Sequence, residues 1–296
     1  MKELNNKNNN ELVEKFQKEG FLIVEDALTS FQLDSLNKDL SGWIDESREH
    51  DTPYGKIMDG RPRFDIALDT HSKKSPALRR ITSPAEISKS CLDTVKDNKA
   101  LDIVSEIFGP NIKHWTNKIN LKLPGSGTEV KFHQDFPYEP HSNEDIMTVL
   151  FFLDDVTLEN GPLEVVPGTH KGKLHSLWHG GVFTGAVSQE VEDECKNKAV
   201  TCIGEAGTAC LMHSKLLHGS KPNETDTPRC LFIVSYTAED AIKLTENPLP
   251  SELDGMIVRG EQTGKVRCTN YSVELPEYPK EVSFFGQQSK SKNNGD

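Results

Sequence analysis

The spacing of apolar residues changes once along this chain, and that change limits the possible folds more than any other feature of the sequence. Before Pro110 the apolar residues recur mostly at helical intervals. After it they fall into short runs divided by turn residues. Leu12, Val13 and Phe16 mark an amphipathic helix that stops at Gly20, and Phe21 to Val24 reads as a short strand. Ser30 to Ile44 reads as a second helix, with Ser30 as its N-cap and Leu33, Leu36, Leu40 and Ile44 on one face. Residues 48–75 are charged and loop-like. Residues 84–98 and 99–108 look helical and end at Gly109-Pro110. The spacing then predicts strands at 112–123, 130–136, 147–153, 161–166, 199–202, 208–211 and 230–236. Pro124-Gly125-Ser126-Gly127, Glu159-Asn160-Gly161-Pro162 and Pro167-Gly168-Thr169 separate several of them. A helical front followed by many short strands predicts a mainly β fold with flanking helices, an antiparallel sandwich or barrel carrying its helices outside.

The 296 residues are enough to bury a core without staples. With no composition break inside them, the expectation is one domain over 1–296. Its core runs from about 11 to 285, and the polar termini 1–10 and 287–296 are flexible. No run of about 18 apolar residues exists to cross a membrane. Thirty-four Lys and Arg against 46 Asp and Glu give a net charge of -12, which argues against a nucleic-acid partner. The six cysteines show no metal-binding spacing and read as small buried hydrophobes of a reducing compartment. The N-terminal stretch lacks the apolar segment of a signal peptide, so a cytoplasmic location is expected. Oligomeric state is left open.

There is no Walker loop, no dinucleotide-binding glycine pattern, no nucleophile elbow and no H-E-x-x-H. What stands out is His133-Gln134-Asp135. On a strand, residues two apart share a face, so His133 and Asp135 aim an imidazole and a carboxylate at one point. That supplies two of the three ligands of a 2-His-1-carboxylate site for iron(II), with positions left open. Such a pair alone is no more than chance provides among ten histidines. A second histidine would be His218, after the apolar Leu216-Leu217, with His213 as its rival. Arg229 opens a later strand and suits bidentate binding of a carboxylate.

Residues 147–170, MTVLFFLDDVTLENGPLEVVPGTH, resemble the central signature of the phytanoyl-CoA dioxygenase family of iron(II) and 2-oxoglutarate oxygenases. Leu153-Asp154-Asp155, Asn160-Gly161-Pro162-Leu163 and Pro167-Gly168-Thr169-His170 carry the likeness. Residues 121–127, His133-Gln134-Asp135, His218-Gly219-Ser220, Arg229 and the opening stretch 16–26 extend it over roughly 11–240. The resemblance implies a double-stranded β-helix (a jelly-roll, cupin-like core) with His133, Asp135 and His218 as iron ligands. It implies Arg229 on the distal carboxylate of 2-oxoglutarate with Ser220 helping. Lys118, Asn120, Thr148 and Phe151 would be further cosubstrate contacts, and His170 a turn residue. O2 and 2-oxoglutarate would be consumed, succinate and CO2 released, and a C–H bond of a small molecule hydroxylated. Desaturation, cyclisation or C–P cleavage on the same iron, or a non-catalytic binding module, are the alternatives. Halogenation is disfavoured because Asp135 holds the position a halide needs.

Gln134, Phe136 and Tyr138 flank the metal pair and are the expected substrate contacts. Glu139, Glu144 and Asp145 follow them with no Lys or Arg, which predicts a polar, cationic substrate rather than an acyl-CoA.

Overall fold

Residues 146–152 and 229–238 pair with each other and are buried at every position, which is why they read as unbroken apolar runs. The computed structural model that shows this describes residues 2–58, 60–125, 127–277 and 288. Among the described residues a nine-stranded antiparallel sheet is built from β1 (Phe21–Val24), β2 (Tyr54–Ile57), β3 (Pro62–Ile66), β4 (Leu78–Thr82), β5 (Ile112–Lys122), β7 (Ile146–Phe152), β12 (Ala209–His213), β14 (Arg229–Ala238) and β15 (Ile257–Arg259). The strand order is β1-β12-β7-β14-β5-β4-β3-β2, with β15 against one end of β5. A smaller sheet runs β11-β8-β13-β6, made of β6 (Val130–His133), β8 (Leu163–Val165), β11 (Val200–Cys202) and β13 (His218–Ser220). Trp178–His179 (β9) and Val182–Phe183 (β10) form a separate hairpin. The helices are α1 (Lys2–Glu19), α2 (Ser30–Ser47), α3 (Lys89–Lys96), α4 (Lys99–Phe108) and α5 (Gln189–Lys198).

The two faces of the large sheet bury different things. Ile119, Leu121, Val149, Phe151, Leu211, Phe232 and Val234 form one core with Leu36 and Leu40 of α2, Val95 of α3, and Leu101 and Val104 of α4. Leu150, Phe152, Cys210, Met212, Leu231 and Ile233 point the other way and pack with Val165 of β8 and Cys202 of β11. Two sheets face to face, with α2, α3 and α4 outside the large one and α5 against β6 of the small one, agree with the jelly-roll expectation.

Several boundaries differ from the sequence expectation. The cap of α2 is Thr29, one residue before Ser30: its Oγ1 accepts from Gln32 N at 3.2 Å, and Gln32 Oε1 accepts from Thr29 N at 2.9 Å. β2 and β3 lie in the stretch expected to be loop, and β4 follows it in residues for which no element was expected. Their charged residues disguise them, because Arg63 is buried on Glu86 and Arg79 grips Asp65 with two bonds. The first helix starts at Lys2 rather than near Leu12, so the Asn-rich stretch expected to fray is helical. The polar tail 287–296 lies outside the described residues except for Gln288. That side chain is buried, accepting from Lys131 N at 2.9 Å and donating to Gly185 O at 2.9 Å. A tail with nothing to bury is therefore corrected at Gln288.

Gly20 closes α1 by donating to Phe16 O at 2.7 Å, and its φ of +83° is one that L side chains avoid. A Cβ there would enter the His170 ring and Leu216. Gly20→Ala is expected to lower unfolding stability by roughly 2–4 kcal/mol, read as a fall in the urea midpoint at unchanged slope.

Candidate active site

A cavity of about 390 Å3 lies between the sheets, lined by β4, β5, β7 and β14 on one side and by His133, Leu163, His218 and Ser220 on the other. Two histidines stand in its wall because their strands put them there. β13 pairs with β6 in a register that sets His218 directly opposite His133, with ring centroids 4.2 Å apart. Each ring is held by its own backbone: His133 Nδ1 lies 2.9 Å from Lys131 O, and His218 Nδ1 lies 2.9 Å from Leu216 O. A carbonyl only accepts, so both Nδ1 atoms carry the proton and both Nε2 atoms present a lone pair.

His133 is the last residue of β6, and Asp135 lies just beyond it in a turn where Tyr138 N donates to Asp135 O at 2.8 Å. The two-residue offset still aims both groups at one point, although the strand is shorter than expected. Asp135 Oδ1 is 3.5 Å from each Nε2, and Thr148 Oγ1 donates to Oδ2 at 3.2 Å. The three potential ligand atoms lie within 4.8 Å of one another. Burial works against a charge on Asp135, but His218, His133 and Lys118 outweigh it and hold the carboxyl well below the usual carboxylate range. Burial pulls His218 down to about 4, helped by His133, so its imidazole is neutral near neutrality. Two imidazoles that turn Nε2 toward one carboxylate are a donor set suited to iron(II), with open positions toward the cavity.

Arg229, the first residue of β14, is fully enclosed. One guanidinium nitrogen donates to Gly161 O at 2.9 Å, and Nε has no hydrogen-bond partner among the described residues. Opposite it on β5 stands Lys122, whose Nζ donates to Ser220 Oγ at 2.6 Å and to Lys221 O. Burial, and then Arg229, bring Lys122 down to about 7. Lys122 was missed in the sequence, yet it shares the strand face of Lys118 and Asn120, which were selected, and parity alone would have found it.

Lys118, Asn120, Thr148, Ser220, Arg229 and Tyr138 all line the cavity. Tyr138 meets the His133 ring edge-on at 5.9 Å and donates to Gly185 O. Three expected contacts do not line it. Phe151 has the opposite parity to Thr148 on β7 and stacks on Phe232 in the helix-side core. Gln134 points away, donating to Lys215 O at 2.7 Å and accepting from His175 N. Phe136 is buried against Tyr271. His213 accepts from Lys215 N and packs near Phe16 and His170, apart from the other two histidines. His170 lies in the turn at 169–171, under Gly20.

The acidic loop is also different from its sequence reading. Glu144 is paired with Lys215 at 2.8 Å and Asp145 with Arg267, so neither offers charge to a substrate. Glu139 does face the cavity. It accepts from Trp115 Nε1, and burial with Asp135 nearby pushes its carboxyl up to about 8.

Residues 16–230 match the family model described as phytanoyl-CoA dioxygenase (PhyH). The chain belongs to the phytanoyl-CoA dioxygenase family. It is a non-haem iron dioxygenase that uses 2-oxoglutarate. A probable alpha-ketoglutarate-dependent hypophosphite dioxygenase of Stutzerimonas stutzeri is 33% identical over 71% of this chain and 74% of its own length. The L-proline trans-4-hydroxylase of Streptomyces griseoviridis is 27% identical over 55% of this chain and 68% of its own. The fold is that of the apo crystal structure of EctD from S. alaskensis, with a TM-score of 0.61, 21% identity, and coverage of 82% of this chain and 80% of that one. Among the described residues no helix is long and apolar enough to cross a membrane.

Burial lowers the pKa of His213 to about 3 and of His141 to about 4, against 6.5 for an exposed histidine. Between pH 6.5 and about 4 the unfolded chain therefore binds more protons than the folded one, and stability falls as pH drops through that window. Urea unfolding measured from pH 7 to pH 4 should show this slope, and His213→Gln should make it shallower.

Proposed function

We propose that this chain hydroxylates a small polar metabolite, with His133, Asp135 and His218 holding the iron. The observation that carries the reading is the pair of facing histidines, each locked by Nδ1 on a carbonyl and each turning Nε2 toward one oxygen of Asp135. Iron(II) held there, with O2 and 2-oxoglutarate, supplies the oxidising chemistry, and succinate and CO2 leave as coproducts.

The protein's own part is positioning and exclusion. Arg229, with its Nε buried and unpartnered among the described residues, receives the distal carboxylate of 2-oxoglutarate. Ser220 and Lys122 stand beside it, already hydrogen-bonded to each other, and complete that end of the cavity. Thr148 acts through Asp135: by occupying Oδ2 it leaves Oδ1 facing the two imidazoles. Leu150, Met212, Leu231 and Ile233 keep the wall apolar and exclude water from the reacting bond. The cavity volume suits a small molecule, and relatives are named for proline and for ectoine.

A second reading of the bond oxidised has a specific support. The hypophosphite dioxygenase relative aligns over most of this chain. The same site would then act on a P–H bond in place of a C–H bond.

Arg229→Ala is expected to weaken 2-oxoglutarate binding by on the order of 2–5 kcal/mol, read as a raised KM for the cosubstrate. Arg229→Lys should recover only part, because a point charge lacks the guanidinium fork. An unchanged 2-oxoglutarate dependence in Arg229→Ala would remove the assignment. His133→Ala and His218→Ala should each abolish tight Mn(II) binding by equilibrium dialysis. Tight binding retained in His218→Ala but lost in His213→Ala would move the third ligand.

A further inference from the structure

We infer that the cavity contains a second anion subsite, in which Lys118, with Arg80 and Arg61, receives a carboxylate, phosphonate or phosphinate group of the primary substrate. This rests on the dioxygenase reading above and adds the substrate's charge to it.

β5 presents Thr116, Lys118 and Lys122 to the cavity from one face. Lys122 is in register with Arg229, and Lys118 with Ile233. Four residues of strand separate the two lysines by about 13 Å along the sheet. A five-carbon dicarboxylate spans roughly 5 Å, from four C–C bonds of about 1.5 Å each. A 2-oxoglutarate anchored at Arg229 therefore leaves the far end of β5 to another molecule. Lys118 lines the cavity together with Asp135, Glu139, Arg80 and Arg61, and Asp135 is the largest of the charges that act on it.

Lys118 is half-buried and makes no hydrogen bond or ion pair among the described residues, unlike Lys122. A lysine placed that way gives up water, and the acids that act on it, Asp135 and Glu139, do so through space and not by direct contact. Among the described residues none of the acids facing the same space, Asp135 included, lies within ion-pair distance of it. Asp65 is gripped by Arg79 through two bonds of 2.8 and 3.0 Å and lies 3.9 Å from Arg80. Glu139 is held by the Trp115 indole. Asp69 is exposed at the rim. Arg80 lies on β4 opposite Asn120 of β5, so its guanidinium enters the cavity beside Lys118 from the neighbouring strand.

The test uses the full chain. A first measurement asks whether anaerobic Fe(II) and 2-oxoglutarate give a charge-transfer band, which judges the dioxygenase reading by itself. Calorimetry then titrates hypophosphite, methylphosphonate and propionate, with propylamine and propanol as cationic and uncharged counterparts, into protein loaded with Mn(II) and 2-oxoglutarate. The same titrations on metal-free protein still judge the subsite if the band is absent. The expected result is binding of at least one oxyanion in preference to the amine and the alcohol. Lys118→Met and Arg80→Met should each weaken it tenfold or more, Lys118→Arg should retain most of it, and the loss in Lys118→Met should fall on the oxyanion more than on 2-oxoglutarate. Preference for propylamine, no oxyanion binding in either form, or a Lys118→Met loss confined to 2-oxoglutarate would overturn the inference.

Discussion

The pairing of β13 with β6 is the constraint from which the site follows. It sets two imidazoles side by side on one face, and the carbonyls two residues upstream fix which nitrogen of each is presented. Such a pair is only as fixed as its strands, and β6 lies at the edge of the small sheet. Its backbone is satisfied from outside the ladder. Phe132 N donates to Glu192 of α5 at 2.9 Å, Val187 N donates to Phe132 O, and Gln288 takes Lys131 N. These partners close an edge that would otherwise leave polar groups open, and they brace the strand carrying His133.

The large sheet divides its labour by parity. Along β7 and β14 the residues that point toward α2, α3 and α4 are apolar and fill the core. Their neighbours, Thr148, Leu150, Arg229, Leu231, Ile233 and Ser235, face the cavity. The backbone ladder that stabilises the fold is thus the same ladder that spaces the site. A slip of one residue would bury Arg229 among the core side chains and turn Phe232 into the cavity.

Much of this was legible in the sequence, and the parts that were not share a physical reason. The strands with apolar runs were readable, as were His133, Asp135, His218 and Arg229, which sit in a dense order of turn and strand signals. β2, β3 and β4 were not, because their inward positions carry Arg63, Asp65 and Arg80, and charge at alternate positions reads as loop until the buried partners are seen. Phe151 was misplaced by ignoring parity: an odd separation from Thr148 puts it on the other face. Gln134 and Phe136 were chosen for lying next to the ligands in sequence, but the chain turns after His133 and carries both away. The acidic loop misled because Lys215 and Arg267, its partners, are distant in sequence.

β4 joins the cavity from beyond β5, on the side of the large sheet away from β7 and β14. A change at Arg80 alters the cavity wall without passing through the backbone of β6, β13 or β14. On the roles proposed above, the wall that would meet the substrate and the strands that would hold the iron are mechanically separate parts. On such a scaffold, substrate range can drift by single replacements in β4 while oxidative capacity is inherited unchanged.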